Sequence, residues 1–203
     1  MLLNELEEAG AHWCRLSHLC YLSPRMHPIR ATARYGRAIH AIAELLGKLK
    51  MDSMFVGNVA RAAWLDVEVT SGAVDVLAVM TAQQKGQIAM MAANRGFRVE
   101  RDELDATEEL DLVPLNWVDE EGEVRVHVLM ASNALYGRMV AVGIATEIEG
   151  RTVRIPRAED LALMLLMAED QEAVQHLTSL PEFDLPAFRE RLASIGLGEA
   201  AGG

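Results

Sequence analysis

The sequence predicts an α+β protein in which a small mixed sheet is flanked by helices. Three observations predict it: apolar residues follow helical spacing up to about residue 50, short apolar runs alternate with turn residues up to about residue 156, and helical spacing then returns. The predicted organisation is a helical hairpin over 1–50, an α/β core over 51–156, helices over 157–198 and a disordered tail over 199–203.

Composition and charge limit the classes of function. The chain has 203 residues, of which 51% are hydrophobic and 24% charged, so it can bury a core and is not a disordered chain. Its net charge of −11 repels phosphate backbones, so we do not expect nucleic acid as a partner. The longest apolar run, 161–168, is shorter than the roughly 20 residues that cross a bilayer, and the acidic start is unlike a signal peptide. We therefore expect a cytoplasmic protein without a membrane partner.

The first 50 residues predict two helices. Pro24 and Pro28 separate them, because proline cannot continue a helix. An apolar stripe of this length is unusual on the surface of a monomer, so we expect it to face the core, a protein partner or a second copy of the chain. The residues of the stripe on the first helix are Leu2, Leu6, Ala9, Trp13, Leu16 and Cys20.

The first predicted helix also carries four residues of the kinds that bind zinc. A helix turns by about 100° per residue, so these four side chains point in different directions and cannot converge on one ion. A buried cysteine and solvated histidines are the favoured interpretation, and we predict no metal site there. The four residues are His12, Cys14, His18 and Cys20.

The core segment predicts alternating strands and helices, and two glycines mark its turns. Gly57 follows the first strand, and Gly96 stops a helix that begins after Thr81. The predicted strands are 54–56, 74–80, 97–99, 110–118, 123–130, 145–148 and 153–155, and the predicted helices are 59–64, 82–94, 159–168 and 185–195.

Four segments in this order carry a family resemblance. They are Gly57-Asn58, Ala73-Val74-Asp75-Val76-Leu77, Gly96-Phe97-Arg98-Val99 and Arg157-Ala158-Glu159-Asp160-Leu161-Ala162-Leu163. Together, over about residues 50–195, they resemble the nucleotidyltransferase superfamily, in particular small bacterial members related to abortive-infection toxins. Those proteins carry a Gly-Gly or Gly-Ser turn after the first strand, Asp-x-Asp on the next strand, a third acid on a later strand, and a Glu-Asp-Leu helix start. The resemblance implies a mixed sheet of the nucleotidyltransferase type.

The resemblance also implies a chemistry and a set of site residues. In the family, two Mg²⁺ ions bridge a triphosphate and the attacking hydroxyl, and clustered carboxylates hold them. Gly57 and Asn58 would then bind the nucleotide through amides at a helix N-terminus, and Asp75 would be a remnant metal ligand. We accordingly predict that Gly57-Asn58 lies between a strand and a helix, with Asp75 on the adjacent strand pointing toward it.

Three positions depart from the family pattern. Ala73 replaces the first acid of Asp-x-Asp, His127 stands where the third acid is expected, and Leu165 replaces a lysine of the Glu-Asp-Leu helix. A hydrogen-bonded role for His127 is favoured over a metal-binding one. These changes predict a catalytically degenerate protein without a cofactor, which binds a partner or a nucleotide, with a toxin–antitoxin context as one possibility.

Two other functions remain open on the sequence. An active enzyme would use Mg²⁺ to move a nucleotidyl group from a nucleoside triphosphate to a hydroxyl on protein or RNA, with Asp66 or Glu68 supplying ligands. A structural homo-oligomer would associate through residues 1–50. For Asp75, the alternative to a metal ligand is a carboxylate on the surface, or one whose hydrogen bonds are made within a hairpin.

Overall fold

A computed structural model describes residues 27–100, 102 and 111–196. The first predicted helix with its apolar stripe, the group from His12 to Cys20 and the tail over 199–203 lie outside these residues. The helices are α1 (Ala33–Lys48), α2 (Gly57–Leu65), α3 (Ala82–Ala93), α4 (Ala134–Val142), α5 (Ala158–Met167), α6 (Gln171–Thr178) and α7 (Leu185–Ser194). The strands are β1 (Arg30–Ala31), β2 (Ser53–Phe55), β3 (Glu68–Val69), β4 (Val74–Ala78), β5 (Phe97–Arg98), β6 (Leu112–Asp119), β7 (Gly122–Met130), β8 (Ile144–Ile148) and β9 (Arg151–Ile155).

Five strands form one mixed sheet in the order β2-β4-β7-β6-β5. β4 and β7 are parallel, and the other neighbouring strands are antiparallel. The pairs β1-β3 and β8-β9 form two small separate sheets. The predicted α+β fold with a small mixed sheet is confirmed, and both predicted hairpins are present as β6-β7 and β8-β9.

The parallel pairing of β4 with β7 sorts their side chains onto two faces. Val74 pairs with Val126 and Val76 with Val128, and all four are fully buried. Side chains alternate along a strand, so the residues between them lie on the opposite face. Asp75 lies there beside His127. One face of the sheet is therefore core, and the other presents polar groups at Asp75 and His127, while Leu77, farther along β4 on that same face, is buried.

The helix α1 packs on the sheet, and its N-terminal half contacts the loop before β4 and the turn between β6 and β7. Ile39 and Ile42 are fully buried, and the Tyr35 hydroxyl donates to the carbonyl of Gly72 at 2.9 Å. Arg37 donates to Asp119 at the β6-β7 turn. This ion pair raises the pKa of Arg37 and lowers the pKa of the Asp119 carboxyl.

The C-terminal region differs from the prediction in one element. The sequence predicts helices at α5 and α7, whereas the structure also has α6 between them. Asp170 begins α6, and its side chain accepts from the backbone N–H of Ala173. α4 was likewise not predicted, and Asn133 caps it in the same way. No helix in the described ranges is long and apolar enough to cross a bilayer.

Candidate functional site

Gly57 lies directly against Asp75. β2 ends at Phe55, and α2 begins at Gly57, two residues earlier than predicted, with a φ of 53°. A Cβ at Gly57 would lie only 2.7 Å from Oδ2 of Asp75, and the left-handed backbone there disfavours other residues. The predicted placement, with Asp75 pointing toward the turn after the first strand, is therefore present in the structure.

The loop that precedes Asp75 is held by two helices. Gly72 has a φ of 82°, and a Cβ there would collide with Nδ2 of Asn58 on α2. The carbonyl of Gly72 accepts from Tyr35 on α1 at 2.9 Å. The sequence pattern does not mark Gly72 or Tyr35 as site residues, although Ser71-Gly72 is a turn signal directly before a strand.

His127 and Asp75 form a pair across the parallel strands. Nδ1 of His127 lies 2.9 Å from Oδ1 of Asp75, and the two side chains are 28% and 26% exposed. The pairing follows from the register, which places the two residues side by side on β7 and β4. The hydrogen-bonded histidine favoured by the sequence is present, and its partner is Asp75, the residue that the resemblance implies as a metal ligand.

The other positions singled out in the sequence do not add ligands. Ala73 is half-buried just before β4, and Leu165 is packed in the core. Asp66, one proposed replacement ligand, pairs with Arg30 at 3.1 Å. Glu68, the other, lies exposed on β3.

These donors do not fit a pair of magnesium ions. Mg²⁺ prefers oxygen ligands, and two ions about 3.5–4 Å apart need bridging carboxylates. Asp75 contributes one carboxylate, and its neighbour His127 contributes an imidazole nitrogen, which suits zinc or copper better. Within the described ranges, no group of three or more His, Cys, Asp or Glu residues could hold a metal ion.

The electrostatics of the turn follow from the same contact. The N-terminus of a helix carries partial positive charge and unpaired amides, which attract anions. Here the carboxylate of Asp75 already faces the first residue of α2, Gly57. Without a bridging metal, the negative charge of this carboxylate opposes the approach of a phosphate.

Neither a protein-family model nor a curated protein matches the sequence. Among solved structures, the chain is similar to an antigenic nucleotidyltransferase-like protein from Paracoccidioides brasiliensis, with a TM-score of 0.53 and 14% identity over 86% of this chain and 92% of that chain. It is also similar to ANT(2")-Ia in complex with adenylyl-2"-tobramycin, with a TM-score of 0.48 and 17% identity over 80% of this chain and 98% of that chain. A solution structure of the antibiotic-resistance factor ANT(2'')-Ia gives a TM-score of 0.49 and 17% identity over 80% of this chain and 95% of that chain. The likeness to the Paracoccidioides protein shows that the chain has the fold of a nucleotidyltransferase-like protein.

Proposed function

We propose that this chain is a nucleotidyltransferase-fold protein that has lost nucleotidyl transfer and acts by binding a nucleotide or a protein partner. The observation that carries the proposal is the 2.9 Å contact between His127 and Asp75. An imidazole stands where the resemblance implies a third acid, and it holds the one acid that remains in the matched motif. The site is organised for a hydrogen bond within the protein.

Ligand counting supports the loss of transfer. A two-metal mechanism needs carboxylates that hold both ions while they activate the attacking hydroxyl and the leaving phosphate. Ala73 offers no ligand atom, and His127 offers nitrogen. Backbone amides of α2 do not depend on these acids, so weak binding of a triphosphate at Gly57-Asn58 is compatible with the loss.

A protein partner, in place of a nucleotide, is the second alternative within this proposal. The resemblance to relatives of abortive-infection toxins favours a toxin–antitoxin context. Within residues 1–50, the apolar face of α1 is buried in the core, so the apolar stripe from Leu2 to Cys20 is the part that we propose as the contact surface. Association of two copies through residues 1–50 would use the same surface. The molecular mass of the full chain alone, measured by light scattering, would distinguish a homo-oligomer from a monomer that binds a different protein.

The first experiment measures incorporation of label from each of the four nucleoside triphosphates into protein and RNA, with Mg²⁺ or Mn²⁺. We expect no incorporation by the wild type above a heat-denatured control. Asp75→Ala tests the remnant acid, and Glu182→Ala, an exposed acid on the C-terminal side, is the matched control. Transfer by the wild type and by Glu182→Ala, abolished by Asp75→Ala, would overturn the proposal.

The second experiment measures binding of ATP without a divalent metal, by equilibrium dialysis. If Asp75 only repels phosphate, Asp75→Asn should tighten binding about fivefold, because it removes a charge next to the α2 amides. In an active enzyme the same change should weaken binding in the presence of Mg²⁺, since it removes a metal ligand. Unchanged unfolding midpoints in urea would show that the variants are folded.

A further inference from the structure

Helices α4 and α7 border an open groove at the surface, and no residue of the Gly57 site lines it. Leu135, Met139 and Val142 of α4 give the groove an apolar wall. Val142 is 46% exposed, and Leu135 is partly buried. The wall is therefore apolar surface that remains open for association with another protein surface.

The two rims of this groove carry opposite charges. Arg138 on α4 and Glu190 on α7 are exposed, and neither has a hydrogen bond or ion pair with another residue in the described part of the chain. Arg191, the other cation of the groove, is already paired with Asp160. The α4 rim is thus positive and the α7 rim negative.

A surface with this arrangement of charges is complementary to itself. A two-fold axis through the groove exchanges the two rims, so the α4 rim of one copy faces the α7 rim of the other. Arg138 of each copy then meets Glu190 of the other, and both charges gain a partner. A uniformly acidic partner would instead face Glu190, and a uniformly basic partner would face Arg138, each with a repulsive contact.

We propose that two copies of this chain associate through the groove as a two-fold dimer with two reciprocal ion pairs between Arg138 and Glu190. The bordering helices are short, nine and ten residues, so the interface lies at the small end of specific interfaces, which is typical of transient complexes. We expect a Kd of about 10–100 µM. This dimer does not use residues 1–50, and it does not depend on nucleotide binding.

The test reverses one charge at a time in the full chain and measures the Kd of self-association by sedimentation equilibrium. Two copies of Arg138→Glu would oppose acid to acid at both contacts, and two copies of Glu190→Arg would oppose base to base. We expect the Kd of each variant to rise at least about tenfold. In an equal mixture of the two variants both ion pairs are restored, so the mixture should form a heterodimer with about the Kd of the wild type.

The matched control is Arg189→Glu, which changes an exposed arginine on α7 that does not line the groove and should dimerise like the wild type. All three positions are exposed, so each variant should keep the urea unfolding midpoint of the wild type. A wild type that stays monomeric up to about 1 mM, ten times the upper expected Kd, would overturn the proposal. Dimerisation of both single variants with the Kd of the wild type would also overturn it and would assign the association to another surface, such as residues 1–50.

Discussion

The acids singled out in the sequence lie in two regions of the molecule, and their hydrogen-bonding partners differ. Around the turn at Gly57, one acid of the matched motif is present, and it pairs with His127. At the start of α5, both acids of Glu-Asp-Leu are present and bind to the region of α7. Glu159 accepts from the backbone N–H of Asp184 at 2.9 Å, and Asp160 pairs with Arg191.

The difference shows which acids the fold itself needs. Glu159 and Asp160 are 7% and 3% exposed, and buried charges are stable only when they are paired or hydrogen-bonded. Removing Glu159 would leave the backbone N–H of Asp184, the N-cap of α7, without its partner, and removing Asp160 would leave Arg191 on α7 without its partner. Ala73, in contrast, is half-buried before β4 and offers no side-chain donor or acceptor to another part of the chain.

The largest effect should come from breaking the pair between α5 and α7. Asp160→Ala leaves the guanidinium of Arg191, 23% exposed, without its carboxylate. We expect the free energy of unfolding to fall by about 3 kcal/mol, because an uncompensated charge in a mostly buried site is costly. Urea denaturation followed by circular dichroism measures it.

A double variant separates the energetic effect of the ion pair from that of the packing around it. Replacing both partners, Asp160→Leu with Arg191→Leu, should restore stability to within about 1 kcal/mol of the wild type, because apolar residues of similar volume often substitute for a buried ion pair. A loss below about 0.5 kcal/mol in Asp160→Ala would mean that α7 does not depend on this acid, and the contrast between the two regions would disappear.

The sequence predicts the sheet and its turns better than it predicts the contacts of the acids. The alternation around Val126 and Val128 and the glycines at 57 and 96 are local signals, and they predict strands and turns close to those observed. The register that places His127 beside Asp75 joins strands 52 residues apart and has no local signal. α4 and α6 are short helices whose main local signals are their caps, Asn133 and Asp170.

An intermediate effect should come from Gly57→Ala, which tests the turn region. The new Cβ would meet Oδ2 of Asp75 at 2.7 Å, and alanine is strained at a φ of 53°. We expect a loss of about 1–2 kcal/mol in the free energy of unfolding. In an Asp75→Ala background only the backbone strain remains, so the loss should shrink.

The matched control is Gly86→Ala in α3, where a Cβ would meet nothing within 4 Å. That change should stabilise the protein by about 0.5–1 kcal/mol, because alanine favours helix over glycine. If Gly57→Ala cost the same with and without Asp75, the close approach of the carboxylate to the turn would have no energetic role. The cost of a side chain at position 57 would then come from the backbone conformation alone.

The smallest effect concerns the link between the two regions. Arg61 on α2 donates to Oδ2 of Asp170 at 3.1 Å, while Oδ1 of the same residue caps α6. Asp170→Ala removes both contacts and should lower the free energy of unfolding by about 1–1.5 kcal/mol, whereas Asp170→Asn keeps the cap and should lower it by about 0.5 kcal/mol.

A double-mutant cycle of Asp170→Asn with Arg61→Met isolates the energy of the ion pair. Because both side chains are about one-third exposed, at 33% and 34%, we expect a coupling below about 1 kcal/mol. A larger coupling energy would mean that the ion pair is a main link between the turn region and the C-terminal helices. A small coupling energy would mean that the two regions are held together by the packing of α2 on α5 and by the buried hydrogen bond from Trp64 to the carbonyl of Pro156.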